Sequence, residues 1–292
     1  MLKRILVAIP IIIIVALALF VQSWVLAIFA VILACMSQFE VVRAMDGNGK
    51  PVVKWVSYLF AGLLAVDFAA RFVLYYYWGW AVAYDMSRDV VVLFVIMVML
   101  TFAASMFSEK HTAQSISNTI LTLVYPQLFF VLFYMLILSV PAHGAYFRTL
   151  VLLLMVFLPA MFTDTFAYFF GMAFGKRKLC PSISPKKTVA GCVAGLAGGV
   201  VAAFLIWLVF SQWVYVDGSH VEMAPLVSYI VAGAILAVIA QIGDLSASFL
   251  KRAFTIKDFG KLLPGHGGVV DRVDSIMFCI PVVYLLSIMS VI

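Results

Sequence analysis

Apolar residues fill most of the chain in runs long enough to cross a bilayer. Such runs predict transmembrane helices, because a helix satisfies its own backbone polar groups in lipid. The predicted spans are 5–21, 22–42, 54–78, 88–107, 117–138, 147–171, 188–212, 225–250 and 274–291. Only Gln22 and Ser23 separate the first two, so residues 5–42 form either one kinked helix or a tight hairpin. We therefore predict an all-α fold, a polytopic integral membrane helical bundle with about nine transmembrane helices.

The basic residues predict which ends of the spans face the cytoplasm. With nine spans and a cytoplasmic N-terminus, sixteen of the nineteen Lys and Arg residues fall in inside segments. Arg88 and Arg148 fall outside, and Arg71 lies within a span. Cytoplasmic segments carry such an excess of Lys and Arg. Eight spans would place Lys3 and Arg4 outside, so nine is the better count. We expect an integral protein of a bacterial-type inner (plasma) membrane.

Composition excludes several other classes. At 66% hydrophobic residues and a mean hydropathy of +1.16, the chain has too little polar surface for a soluble globule. Its four cysteines lack paired spacing, so neither a disulfide framework nor a zinc site is predicted. The apolar run after Lys3 and Arg4 is too long for a cleaved signal peptide. The isoelectric point of about 9.1 fits anionic lipid headgroups, and no nucleic-acid partner is expected.

The chain divides by chemistry within a single membrane-embedded unit. Residues 1–146 are predicted to form a transmembrane scaffold, and residues 147–292 to form the catalytic region. Within the scaffold, Asp67 and Arg71 stand four residues apart and share a helix face. An ion pair that fixes helix packing is the favoured interpretation, because no other reactive side chain is expected nearby. A functional role for this intramembrane pair is the alternative.

Two polar blocks lie at inner ends of predicted spans in the second half. In the first, Asp164 is either a hydrogen-bonded buried carboxylate or a site residue. In the second, Ser184 and Pro185 are typical of a helix start, with an N-cap followed by proline. This interpretation places Lys186 and Lys187 beside a helix N-terminus, where phosphate binds well.

Neighbouring residues have simpler interpretations. The basic residues 176–178 are favoured as anchors at the inner face. Gly191, Gly195 and Gly199 recur every four residues and predict a close-packing helix face rather than a ligand loop.

A third block carries most of the candidate chemistry. It begins as a polar stripe on the apolar eighth span, at Gln241, Asp244, Ser248 and Lys251. In lipid, such a stripe must line a cavity or a protein contact. After a glycine-rich turn, Asp271 and Asp274 share a face at the start of the ninth span. Three converging carboxylates would repel one another unless a cation lay between them, and Mg²⁺ suits Asp oxygens combined with phosphates.

This third block resembles the signature of the phosphatidate cytidylyltransferases, or CDP-diacylglycerol synthases. The matching residues are Ser248-Phe-Leu-Lys251-Arg252, Lys257-Asp258-Phe-Gly260 and Pro264-Gly265-His266-Gly267-Gly268-Val-Val-Asp271-Arg272-Val-Asp274. The upstream blocks Asp164-Thr-Phe-Ala-Tyr168 and Ser184-Pro-Lys-Lys-Thr188 are also similar to that family's. Ala190 departs from the pattern, since an acidic residue is common there. The specific resemblance covers residues 163–274, and residues 1–146 match only as a generic bundle of spans.

The resemblance implies transfer of CMP from CTP to phosphatidic acid, giving CDP-diacylglycerol and pyrophosphate at the cytoplasmic face. The lipid phosphate would attack the α-phosphorus of CTP, so the protein must mainly align and neutralise anions. The implied catalytic residues are Asp244, Lys251, Asp271 and Arg272. The implied ligands of Mg²⁺, alone or with a second cation, are Asp244, Asp271 and Asp274. The implied substrate-binding residues are Ser184, Lys186, Lys187, Ser248, Arg252, His266, Gly267 and Gly268. The family also suggests a homodimer, for which the glycine face offers a contact surface.

Two other functions stay open. A related lipid nucleotidyltransferase or a polyprenol kinase would use a different lipid acceptor. An ion-coupled transporter or anion carrier would also hold Asp residues within the membrane. Against a carrier, the polar residues cluster at one face, and the first half shows no duplicate of their pattern.

Overall fold

The computed structural model describes residues 23–78, 86–107, 112–138, 146–211, 215–216, 219–220, 224–261 and 267–292. Its helices are α1 (Ser23–Asp46), α2 (Lys54–Trp78), α3 (Met86–Met106), α4 (Ala113–Val124), α5 (Gln127–Leu138), α6 (Tyr146–Phe174), α7 (Val189–Phe210), α8 (Leu226–Ala253) and α9 (Val270–Ile288). Two short antiparallel hairpins pair β1 (Lys178–Cys180) with β2 (Ser184–Thr188), and β3 (Tyr215–Val216) with β4 (Ser219–His220). The predicted helical fold class is confirmed.

Seven segments of the described residues are helical, long and apolar enough to cross a membrane. They correspond to the predicted spans from 22–42 through 225–250, which confirms the membrane class. The predicted span 5–21 lies outside the described residues. The predicted span 274–291 corresponds to α9, which is not among the seven and carries Asp271, Arg272 and Asp274 near its start. The count of nine is therefore not confirmed.

The predicted span 117–138 consists of two helices, α4 and α5. They are separated at Tyr125, whose backbone is extended (φ −112°, ψ 117°), and at Pro126. Proline has no N–H to donate and disfavours a helical conformation in the residue before it. The two helices together still make one candidate span, Ala113–Leu138.

The chain forms two compact units. Unit 1 comprises Met1–Ser139 and Ala253–Arg272, and unit 2 comprises Val140–Arg252 and Val273–Ile292. The glycine-rich part of the third block thus belongs to unit 1, whereas the polar stripe of α8 and the hairpin lysines belong to unit 2.

Unit 1 is joined by buried polar bonds as well as by apolar packing. Gln38 of α1 donates from Nε2 to the Ser57 carbonyl oxygen of α2 at 3.1 Å. The hydroxyls of Ser57 and Thr122 lie 2.7 Å apart, which links α2 to α4. Gln127 of α5 donates to the Gln38 side-chain oxygen at 3.2 Å. Such bonds satisfy polar groups that lipid cannot, so they fix the register of the four helices.

The predicted ion pair of the scaffold is present in unit 1. The Arg71 Nε donates to both carboxylate oxygens of Asp67 at 3.0 Å, and the Arg71 side chain is 9% exposed. Asp89 of α3 also pairs with Arg71, so the expectation that no other reactive side chain lies nearby is wrong. A cavity of about 830 Å³ opens beside this cluster and is lined by Arg88 as well. The second carboxylate ties α2 to α3, which supports the packing interpretation.

Unit 2 packs α6, α7 and α8 through small residues. A Cβ added to Gly195 would lie 3.0 Å from the Thr163 carbonyl oxygen, and one added to Gly199 would lie 2.6 Å from the Ala237 Cβ. The close-packing role of this glycine face is therefore confirmed. Because these glycines are buried inside unit 2, the expectation that the same face offers a homodimer contact is wrong.

Candidate active site

The predicted phosphate-binding lysines lie on a hairpin strand of unit 2. Ser184 pairs with Cys180 across the β1–β2 hairpin, which places Lys186 and Lys187 on β2. Lys186 is exposed, and Lys187 is half-buried. Both lysines therefore approach the start of α7 from an extended strand rather than from its first turn.

Helix α7 begins at Val189, and Thr188 is its N-cap. The Thr188 hydroxyl oxygen accepts a hydrogen bond from the Gly191 N–H at 3.1 Å. The prediction that Ser184 and Pro185 begin this helix is therefore wrong. The hairpin holds both residues in extended structure, and threonine four residues later satisfies one of the otherwise unpaired N–H groups of the first turn.

Lys187 forms an ion pair with Asp244 of α8. The Lys187 Nζ lies 2.5 Å from the Asp244 Oδ2, and the side chains are 25% and 30% exposed. The sequence predicts a phosphate beside the lysine and a metal beside the carboxylate. In this structure each charge compensates the other, and both side chains are partly exposed.

A glycine lets α8 approach α9 closely beside Asp244. A Cβ added to Gly243 would lie 2.7 Å from the Asp274 carbonyl oxygen and 3.0 Å from the Phe278 Cβ. Non-bonded heavy atoms almost never lie within 3.0 Å of a Cβ, so only glycine fits here without a shift. This close approach brings the helix that carries Asp244 against the helix that carries Asp274.

Asp274 is the most buried of the predicted metal ligands, at 7% exposed. Its Oδ1 accepts a hydrogen bond from the Ser275 N–H at 2.8 Å. Asp244, Lys251 and Asp164 lie near enough to act on its charge. Asp164 also accepts a hydrogen bond from the Ser275 hydroxyl at 3.0 Å, so α6 joins this cluster. Asp164 is hydrogen-bonded but exposed rather than buried, and its site role stays a prediction.

The rest of the polar stripe has mixed roles. Gln241 donates from Nε2 to a carbonyl oxygen of α7 at 3.3 Å, which is an interhelical packing bond. Ser248 and Lys251 are half-buried and lie about two and three turns beyond Gln241. Arg252 is exposed, and its Nε lies 3.5 Å from the Ile183 carbonyl oxygen between β1 and β2. The end of α8 therefore lies beside the hairpin that carries the two lysines.

Asp271 organises the part of the predicted site that belongs to unit 1. Its Oδ2 accepts hydrogen bonds from the Phe259 and Gly268 N–H groups, both at 2.9 Å. Gly267 has a φ of +84°, which favours glycine, and a Cβ there would lie 3.0 Å from the same carboxylate oxygen. Arg272, the residue after Asp271, is exposed. His266 lies outside the described residues, so its predicted role stays a prediction.

Glu40 of α1 is a polar residue of this region that the sequence interpretation missed. The residue is 5% exposed, and its carboxylate accepts hydrogen bonds from the Val269 and Val270 N–H groups. An ionisable residue inside the predicted span 22–42 was itself a signal, because such residues in membrane segments usually face a protein partner. The partner is 229 positions away in the chain, so sequence spacing alone could not name it.

The predicted metal site stays a prediction. Among the described residues, no three His, Cys, Asp or Glu side chains are grouped as metal ligands. Mg²⁺ is often held by one or two carboxylates, with substrate phosphates and water as its other ligands. Asp244 and Asp274 match that donor set, and their mutual repulsion would be relieved by a cation.

These features define a helical membrane protein in which Lys187 of a short hairpin lies beside Asp side chains of packed helices. The chain belongs to the cytidylyltransferase family, whose model matches residues 2–289.

Individual relatives match over a shorter stretch. A phosphatidate cytidylyltransferase of Staphylococcus saprophyticus is 43% identical over 136 residues, which cover 47% of this chain and 48% of the relative. The Haemophilus influenzae protein of the same name is 40% identical over 141 residues, covering 48% and 45%. That of Thermotoga maritima is 38% identical over 122 residues, covering 42% and 43%. The chain thus spans about half the length of the curated relatives that it matches.

Proposed function

We propose that the chain is a phosphatidate cytidylyltransferase of an inner (plasma) membrane. It transfers CMP from CTP to phosphatidic acid and forms CDP-diacylglycerol and pyrophosphate on the cytoplasmic side. Membership of the cytidylyltransferase family and the names of the relatives support this proposal. The observation that carries it is the cluster of Lys187, Asp244 and Asp274 in unit 2, where cationic and anionic groups lie side by side.

The proposed reaction is an in-line displacement at phosphorus. A phosphate oxygen of phosphatidic acid forms a bond to the α-phosphorus of CTP, and the bond from that phosphorus to the β-phosphate bridging oxygen breaks. The electron pair leaves with pyrophosphate. Because the attacking oxygen is already an anion at neutral pH, no strong general base is required. The protein must chiefly hold two anionic substrates close together in line.

The cationic side chains of unit 2 suit that task. Lys187 can exchange its contact with Asp244 for a phosphate placed at the hairpin, since its side chain is partly exposed. Lys251 and Arg252 supply further positive charge at the end of α8. Asp244 and Asp274 are the residues of unit 2 that would hold Mg²⁺, which when bound stabilises the charge on the α-phosphate and on the leaving pyrophosphate. The assignment of Asp271 as a further ligand rests on the family resemblance.

The proposal is tested with purified protein in detergent and three lipid conditions. We expect CTP-dependent release of pyrophosphate with phosphatidic acid, and none with a polyprenol or with no acceptor. Turnover with polyprenol that releases CDP would identify a lipid kinase instead. CTP or ion uptake into proteoliposomes without turnover would identify a carrier.

A matched variant tests whether turnover depends on the cluster. Asp46→Asn removes an Asp–Lys pair at 2.7 Å that is also partly exposed but contains no predicted site residue, so it should leave turnover near wild type. Asp244→Asn should lower it about a thousandfold or more. Equal turnover by both variants would contradict the proposed site.

A further inference from the structure

A carboxylate of α1 caps the start of α9 within unit 1. The Glu40 Oε1 accepts from the Val269 N–H at 2.9 Å, and the Oε2 accepts from the Val270 N–H at 3.0 Å. The first N–H groups of a helix have no partner within that helix, and an anion there also interacts favourably with the helix dipole. Glu40 therefore caps a helix whose first residue, Val270, is 230 positions further along the chain.

The glycines of the same segment make room for this carboxylate. A Cβ added to Gly260 would lie 2.2 Å from the Glu40 Oε1, and one added to Gly268 would lie 2.3 Å from the Oε2. Both distances are far below ordinary contact, so any side chain at either position would displace Glu40 or the segment. The approach to Glu40 thus accounts for glycine at both positions, and the substrate contact predicted for Gly268 stays a prediction.

Glu40 and Asp271 accept hydrogen bonds from consecutive residues of the same backbone segment. The N–H of Gly268 donates to Asp271, and the next two N–H groups, of Val269 and Val270, donate to Glu40. Asp271 follows immediately and also holds the Phe259 N–H. Because the two carboxylates share one short segment, a shift of the segment away from Glu40 would also move Asp271.

We propose that Glu40 is a positioning residue: it fixes residues 259–260 and 267–270 so that Asp271 is held in its working geometry. The functional half of this inference rests on the cytidylyltransferase activity proposed above. Glu40 does not need to touch either substrate. Its effect on turnover should pass through Asp271, and its effect on local structure should be measurable without any substrate.

The test replaces Glu40 by Gln, which keeps the size of the side chain and one accepting oxygen but removes the charge and the second acceptor. Gln38→Met is the matched control, because Gln38 is a buried polar residue two positions earlier on α1 whose side chain hydrogen-bonds to Ser57 and Gln127. We expect Glu40→Gln to lower kcat about tenfold or more, equivalent to about 1.4 kcal/mol, with a smaller change in KM for CTP. Gln38→Met should leave kcat of the folded protein unchanged even if its melting temperature falls.

Two further measurements separate positioning from general stability. Hydrogen–deuterium exchange should be at least tenfold faster at residues 267–270 in Glu40→Gln than in Gln38→Met. The double variant Glu40→Gln/Asp271→Asn should have a kcat little lower than that of Asp271→Asn alone, because both substitutions act through the same segment. If Glu40→Gln fails to fold, Gly260→Ala replaces it, since the new methyl group pushes against the Glu40 carboxylate; the same losses are expected.

Exchange at residues 267–270 that matches the control would overturn the structural half of the inference. Faster exchange with an unchanged kcat, or full additivity with Asp271→Asn, would overturn the functional half. A wild-type protein that does not turn over CTP and phosphatidic acid would refute the proposed function instead, and the exchange comparison would still decide where Glu40 acts.

Discussion

Replacing Asp244 by Asn separates the structural contribution of this carboxylate from its proposed chemical role. The substitution keeps the shape of the side chain and removes its charge, so the ion pair with Lys187 is lost. The two side chains are 25% and 30% exposed, and pairs open to solvent contribute only up to about 1 kcal/mol to the free energy of unfolding. Unlike a fully buried pair, this one leaves no isolated charge in the interior, because Lys187 can still reach water. Folding should therefore survive.

The expected effect of Asp244→Asn on catalysis is much larger. Losing a metal ligand at a phosphoryl-transfer site should lower kcat about a thousandfold or more, which is about 4 kcal/mol of transition-state stabilisation. The assay is Mg²⁺-dependent turnover of CTP and phosphatidic acid, with melting temperature and elution profile measured on the same preparation. Asp46→Asn controls for loss of a partly exposed ion pair. A folded Asp244→Asn variant with near-normal turnover at low Mg²⁺ would refute the metal assignment.

Three further predictions concern the hairpin and the orientation of the chain. Replacing Lys186 and Lys187 together by Met should raise KM for CTP or phosphatidic acid, because both lysines lie where phosphate is proposed to bind. The control replaces Lys176 and Lys178 by Met. If the two double variants have the same KM values, both pairs serve only to orient the chain in the membrane. Thr188→Val should lower the stability of unit 2 by about 1 kcal/mol through loss of the α7 cap, seen as a lower melting temperature; an unchanged value would contradict the capping role. In a protein without native cysteines, a single Cys is placed in turn at Lys186, Lys251, Arg252 and His266. Each should react with a membrane-impermeant thiol reagent only from the cytoplasmic side. Labelling from the periplasmic side would overturn the orientation.

Much of the fold could be predicted from the sequence because lipid imposes a simple rule on long apolar runs. The predicted span 54–78 coincides with α2, and 88–107 and 225–250 differ from α3 and α8 by only a few residues. The boundary near 184–188 was harder. Ser184-Pro185 and Thr188 can each begin a helix, and the choice depends on strand pairing across a short hairpin, which leaves little trace in hydropathy.

The candidate site shows the same division between local and distant information. The spacing of Asp244 and Lys251 on one helix could be predicted from helical geometry, since they share a face. The pairing of Asp244 with Lys187 depends on how α8 lies against the β1–β2 hairpin, and that of Asp164 with Ser275 depends on how α6 packs with α9. Both pairs join residues far apart in sequence. Glu40 shows the same limit, because a lone acidic residue in an apolar run signals a partner without identifying it.

The central claim is that the CMP moiety, rather than a phosphate group, moves to the lipid. It is tested by giving the purified protein Mg²⁺, phosphatidic acid and CTP labelled at either the α- or the γ-phosphate. We predict that the α-label appears in the lipid product and the γ-label in pyrophosphate, with neither transfer in Asp244→Asn. Transfer of the γ-label to the lipid, or no lipid labelling by a folded wild-type protein, would contradict the account.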